Sequence, residues 1–119
     1  MTSTWIMKTL YIAGPYTKGD VAVNVANAIH EAHWALENGF IPFVPHLTHF
    51  WHMVHPQPYE TWLMIDNEWL KHCDAVLRLP GESNGADKEC ELALQLGIPV
   101  FTSRDELLIA AYGMGMARR

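Results

Sequence analysis

Two carboxylates in this sequence stand where their helices should be apolar. The first is Glu89, in the stretch Ser83-Asn84-Gly85-Ala86-Asp87-Lys88-Glu89-Cys90-Glu91-Leu92-Ala93. Asp87, Glu91 and Gln95 are spaced four apart and define a polar helix face, while Ala86, Cys90, Ala93 and Leu94 define an apolar one. Glu89 is in phase with Leu92, Ala93 and Leu96, so it leans toward the buried side. A carboxylate there is costly unless it is paired or has a task. Its place in the first helical turn favours the ionised form. It reads either as a nucleophile aimed into a cleft or as a satisfied glutamate at a helix N-terminus. The second is Asp66, four residues from Trp62 and Leu70 and three from Leu63 and Trp69, with Asn67, Glu68 and Lys71 free to face out. It is either a functional acid or a structural aspartate bonded to loop amides. Facing one cleft, the two would form a carboxylate pair of the kind used in glycosidic chemistry. Tyr11 and Tyr16 flank the first turn. Either hydroxyl could orient a carboxylate, and either ring could simply pack in the core.

Two further groups of residues could bind ligands. Gly14 to Gly19 has the look of a phosphate loop, but Asp20-Val21 replaces the Lys-Ser/Thr pair of a Walker loop, and no GxGxxG occurs. ATP hydrolysis and dinucleotide binding are set aside on that ground. Thr17, Lys18 and the loop amides could still touch one phosphate, as could Ser83 and Asn84 ahead of a helix N-terminus. Capping and turn formation are their alternative roles. His46, His49, His52 and His55 recur every third residue. A metal site is weighed down by Pro45, Pro56 and Pro58, by the lack of an HExxH motif and by the lack of a nearby cysteine, so no metal is expected. The His and Trp side chains are expected instead to line a pocket that stacks on a planar ligand. The candidate ligand contacts are thus Gly14, Pro15, Tyr16 and Lys18, then His46 and Trp62, then Ser83, Asn84 and Gly85.

The elements that must position these residues alternate. Thr9 to Ala13 is a short apolar, partly β-branched run that ends at Gly14-Pro15, a buried parallel strand and its turn. Asp20 can cap a helix from about Val21 to Glu37, with Val25, Ile29, Ala32 and Leu36 as its buried stripe and Asn38-Gly39 as its stop. Phe40 to Pro45 is a second strand, placed at an edge by its prolines. His46 to Pro58 reads as a long loop, and Tyr59 to His72 as a helix with Trp62, Ile65 and Trp69 in phase. Asp74 to Leu79 is a third strand, Gly85 to Leu96 a third helix, and Ile98 to Phe101 a fourth strand. Ser103 can cap a last helix, Asp105 to Tyr112. Residues 1–7 read as a lead-in and 113–119 as a loose tail of a single domain spanning 1–119. The alternation predicts an α/β, three-layer flavodoxin-like or Rossmann-like fold with a four- to five-stranded parallel sheet. Right-handed crossovers would bring the loops after residues 13, 45 and 79 to one edge.

Composition bounds the function. At 119 residues, 50% hydrophobic and 18% charged, the chain can bury a core without staples. With a formal charge of −5 and no basic face apart from Arg118-Arg119, it lacks the footprint of a nucleic-acid-polymer binder. Cys73 and Cys90 form no CxxC pair, which fits a reducing, cytoplasmic setting. No secretory leader pattern and no run of membrane-spanning length is seen, so no membrane partner is expected.

With these residues in place the sequence resembles the nucleoside 2-deoxyribosyltransferase superfamily, most of all a small branch similar to nucleoside monophosphate N-glycosidases. The resemblance rests on Tyr11-Ile12-Ala13-Gly14-Pro15-Tyr16, then Asp66-Asn67-Glu68-Trp69-Leu70 with Cys73-Asp74-Ala75-Val76, then Ser83 to Glu89 with Glu91-Leu92-Ala93 and Gly97-Ile98-Pro99-Val100. Their order and spacing together carry it. The resemblance implies the α/β fold above and cleavage or transfer of the N-glycosidic bond of a nucleoside or nucleoside 5′-monophosphate. By position it implies Glu89 as nucleophile, Asp66 as the acid that contacts the sugar and assists the leaving base, Tyr11 as the orienting hydroxyl and Ser83 as a 5′-phosphate contact. It implies a small-molecule nucleoside or nucleotide ligand, no cofactor, and a homo-oligomer in which a neighbour's C-terminal segment, here Met114 and Met116, completes the pocket. The loop after Gly14 lacks the arginine that monophosphate hydrolases use, and Lys18 is a candidate substitute. A non-catalytic protein of the same fold that senses a nucleotide-like ligand is the alternative.

Overall fold

The computed structural model describes residues 8–113. The lead-in before Lys8, the methionines at 114 and 116 and the terminal arginines lie outside the described residues. Elements run β1 (Lys8–Ala13), α1 (Val21–Glu37), β2 (Phe40–Phe43), a 3-10 turn (Pro45–Leu47), α2 (Thr48–Val54), α3 (Tyr59–Leu70), β3 (Ala75–Arg78), α4 (Asn84–Gln95), β4 (Val100–Phe101) and α5 (Arg104–Tyr112). The described strands form one parallel sheet of four in the order β2-β1-β3-β4. β2 is an edge strand, as its prolines require. The chain moves outward from β1 to β2 and then crosses to β3 on the other side of β1. That reversal opens a crevice at the carboxyl ends of β1 and β3.

Strand alternation divides the core. Leu10 and Ile12 face one side, where Ala28, Ala32 and Ala35 of α1 and Leu107 of α5 cover them. Tyr11 and Ala13 face the other, where Leu70 of α3 and Ala86 and Ala93 of α4 cover them. This is a three-layer α/β fold. The polar candidates all depend on the second layer, because only that face turns Tyr11 toward α3 and α4.

Three expectations need correction. Ile29 and Leu36 are 40% and 52% exposed, and α1 instead buries Val25, Ala28, Ala32 and Ala35. The helix offers its smallest side chains because these allow the closest approach to the sheet. On α4, Leu94 and Leu96 are exposed as well, so the buried stripe is narrower than their apolarity suggests. The segment after Pro45 is a 3-10 turn and the helix α2, separated from α3 by the proline-flanked stretch 55–58. Side-chain caps stand where the sequence puts them. Asp20 accepts from the Val23 amide at 3.1 Å, and Ser103 from the Glu106 amide at 3.1 Å.

Candidate active site

A cleft of about 720 Å³ opens at the carboxyl edge of the sheet. Three chain segments wall it: the loop after β1, the 3-10 turn with α2 and α3, and the start of α4. Of the residues expected from sequence, Gly14, Tyr16, Lys18, His46, Trp62, Asp66, Ser83, Asn84, Gly85 and Glu89 line it. Pro15 does not. It packs outside, where a Cβ on Gly81 would meet its Cγ at 2.8 Å. Gly81 has φ +113°, so only glycine fits there on both counts. Gly14 is equally confined, because a Cβ would lie 3.0 Å from that of Leu79. The loops after β1 and β3 therefore touch backbone to side chain, and this contact fixes the cleft floor.

Tyr11 lies beneath the cleft, fully buried, and its hydroxyl donates to Glu89 Oε2. The bond joins the middle of β1 to the second turn of α4. Burial, and then the nearby Glu89 and Asp66 charges, raise the phenol far above its ordinary range, so it stays a neutral donor. Burial pushes the Glu89 carboxyl up to about 7, while the Tyr11 hydrogen bond and the Arg78 guanidinium favour its anion. Burial also pushes Asp66 up to about 7, and the Glu89 charge adds to the rise. Asp66 Oδ1 is buried without a hydrogen-bond partner. The two acids thus differ in support. Glu89 has a donor and a cation that stabilise its charge, whereas Asp66 has a burial cost and a neighbouring negative charge. The first ionisation belongs to Glu89, and the remaining proton rests on Asp66.

His46 is 4% exposed. Its Nε2–H points at the Gly14 and Pro15 carbonyls, at 3.2 and 3.0 Å. Nδ1 is consequently an acceptor, buried and without a partner. Burial lowers its pKa, against the pull of the two carbonyls, so the ring is neutral. Tyr16 Oη meets His49 Nδ1 at 2.8 Å. Ser83 is the N-cap of α4, accepting from the Ala86 amide at 3.0 Å. Lys18 pairs with Glu82 at 2.9 Å across the cleft mouth, both side chains being well exposed.

Sequence reasoning passed over several residues here. Arg78 ends β3 and is nearly buried, donating to the Leu79 carbonyl, to the Gly81 carbonyl at 3.0 Å and to Asp87 Oδ1 at 2.9 Å. Its signal was legible: a cation closing the apolar run 75–79. Thr48, His52, Gln57, Tyr59, Leu63 and Glu82 also line the cleft, and apart from His52 nothing in their spacing marked them. Among the described residues no group of three His, Cys, Asp or Glu side chains is placed to hold a metal ion. The histidines that recur every third residue spread to different partners. No described helix is long and apolar enough to cross a membrane.

No curated protein sequence matches this chain. Among solved structures, the 2-deoxyribosyltransferase of the psychrotolerant bacterium Bacillus psychrosaccharolyticus is similar, with a TM-score of 0.57 at 20% identity over 77% of this chain and 69% of that one. That likeness is one of fold, and it agrees with the parallel three-layer architecture. The model of a family described only as a domain of unknown function, DUF7768, matches residues 8–103, and the chain belongs to that family.

Proposed function

We propose that this protein cleaves or transfers the N-glycosidic bond of a nucleoside, with Glu89 as nucleophile. The observation that carries the reading is the acid pair in one cleft: a buried tyrosine donates to Glu89, while Asp66 lines the same cleft with its Oδ1 buried and without a hydrogen-bond partner. Glu89 attacks the anomeric carbon, and the bond from that carbon to the base nitrogen breaks. The electron pair leaves with the base, and the Asp66 proton neutralises it. A glycosyl ester on Glu89 results, which water or a second base resolves with retention. A pocket that merely senses a ligand has little use for two desolvated acids, each of which costs stability. The fold shared with a 2-deoxyribosyltransferase supports the same reading.

The cleft favours the nucleoside over its 5′-monophosphate. Lys18 is the sole Lys or Arg among the described residues that line it, and Lys18 is already paired with Glu82. Glu82 and Glu89 make the surroundings acidic, and Ser83 is engaged in capping. A phosphate would meet little beyond the α4 N-terminus. The test is incubation with a panel of nucleosides and monophosphates, with free base and exchanged nucleoside resolved by chromatography. Base release that disappears in Glu89→Ala while the circular dichroism spectrum stays unchanged is the expected result. Turnover that survives this substitution sinks the assignment.

We also place this activity in a reducing compartment and in a homo-oligomer. The support for the second is an apolar surface on α2 and α3, where Phe50, Trp51, Met53, Val54, Met64 and Trp69 are all more than half exposed.

A further inference from the structure

His52 carries no role in the reaction above, yet its ring is held more specifically than any other histidine of the aromatic wall. Its Nδ1 receives two donors, the Trp62 indole Nε1–H at 2.9 Å and the Gln57 backbone N–H at 3.2 Å. Neither group can accept a hydrogen bond. Nδ1 must therefore be the bare nitrogen of the neutral ring, and the proton must sit on Nε2. No described residue accepts from Nε2. His52, Gln57 and Trp62 all line the cleft, on the wall formed by α2 and α3. The Trp62 ring meets His52 at 5.8 Å and 75°, and Trp51 meets the Trp62 ring in turn at 5.1 Å and 72°. One aromatic contact and two hydrogen bonds thus set the plane of one imidazole and leave it one free donor.

We propose that His52 Nε2–H reads the base, donating to a carbonyl or imine acceptor on the nucleobase edge, and that Trp62 is the positioning residue that fixes its tautomer. The proposal rests on the nucleoside reading of the same cleft. It adds the substrate class: bases that present an acceptor, oxo or ring nitrogen, to the α2 and α3 wall. The chemistry is consistent with departure of the base. When the glycosidic bond breaks, its electron pair spreads onto those same acceptors, so a neutral donor already in place binds the leaving base more tightly as negative charge develops. The proton that completes the free base still comes from Asp66, and His52 keeps its own.

The test uses the intact chain carrying Glu89→Gln, which cannot turn over, and reads binding by calorimetry. The probes are 2′-deoxyinosine and 2′-deoxyuridine, whose bases have oxo acceptors, and indole 2′-deoxyriboside, whose base has none. Adding His52→Phe keeps an aromatic ring and removes the donor. We expect about tenfold weaker binding of the tighter oxo-nucleoside and less than about twofold change for the indole analogue. A second reading comes from nitrogen-15 spectra of the His52 ring: Nδ1 bare and Nε2 protonated in the unsubstituted chain, and a tautomer mixture in Trp62→Phe. Equal weakening of all probes, or no weakening, overturns the proposal. So does a protonated Nδ1. If none of the probes binds, the base-reading role and the nucleoside reading fall together. If they bind with the expected pattern but the chain with Glu89 intact releases no base, the catalytic reading alone falls.

Discussion

Glu89 and Asp66 carry the same formal charge and opposite assignments, and what separates them is a single phenol and a single guanidinium. Tyr11→Phe removes the donor that favours the Glu89 anion, so the Glu89 pKa should rise further and base release should fall by about 10- to 100-fold. A shift of the acidic limb of the pH–rate profile toward higher pH would identify this cause, whereas a uniform loss at all pH values would contradict it. The unsubstituted chain should give a bell-shaped dependence centred near pH 7, because both carboxyls are pushed up to about 7. Below that range Glu89 gains a proton and ceases to be a nucleophile. Above it Asp66 loses the proton that the leaving base needs. The two limbs describe the pair and not either acid alone. Stability has its own sign. Both folded-state values lie above the ordinary values of 3.8 for Asp66 and 4.5 for Glu89, so the native state holds protons that the unfolded chain releases. Their contribution is fully present at acidic pH, below the unfolded values, and is lost as pH rises toward about 7. Asp66→Asn should therefore raise Tm relative to the unsubstituted chain at about pH 8 and do little at about pH 4, a difference on the order of 2 kcal/mol in unfolding free energy that thermal melts at both pH values would measure.

The elements matter through their ends. β1 delivers Tyr11 to one face by alternation, and the loops beyond β1 and β3 are locked together by the close approach of Gly14 to Leu79 and of Gly81 to Pro15. Gly81→Ala meets both a positive φ of +113° and the Pro15 ring, so it should destabilise by more than about 1 kcal/mol in denaturant titration. Gly97→Ala also sits at positive φ, +77°, but faces open space, and its smaller cost would isolate the part due to the Pro15 contact. Arg78 connects the two scales. It ties the β3–α4 loop to the start of α4 and lowers the cost of the Glu89 charge. Its replacement should loosen the loop and weaken the nucleophile together. By contrast, Thr9 and Asp74 clamp the opposite end of β1 and β3 through mutual hydrogen bonds of 2.9 to 3.1 Å, far from the cleft. That end supports the sheet.

At the scale of the molecule, two features remain on the surface. Arg104 grips Glu31 with two hydrogen bonds and lies 4.7 Å from the Trp34 ring centre, pinning α5 to α1 on the face away from the cleft. Phe50, Trp51, Met53 and Val54 of α2 and Met64 and Trp69 of α3 are exposed among the described residues, and the proposed homo-oligomer would bury them. Light scattering across a range of concentrations should give a mass above that of one 13.5 kDa chain, and Trp51→Glu with Val54→Glu should return it to the monomer. A monomer at all concentrations would remove the homo-oligomer from the reading.

Much of this was legible in the residues themselves. Strand runs, caps and proline placement determined the alternation, the parallel sheet and its convergent loops, because those signals are local and each has one physical meaning. Helical phase alone turns Glu89 and Asp66 inward. The phase of α1 misled, since Ile29 and Ala28 lie on adjacent sides and only contact with the sheet decides which is buried. The same holds for the histidines. Their spacing suggested a common site, but three of the four take different partners: Gly14 and Pro15 for His46, Tyr16 for His49, Trp62 and Gln57 for His52. Which acid is charged and which nitrogen of His46 is bare are properties of neighbours across the fold. They are decided by burial and by hydrogen bonds between residues up to 78 positions apart, and no local pattern in the chain encodes them.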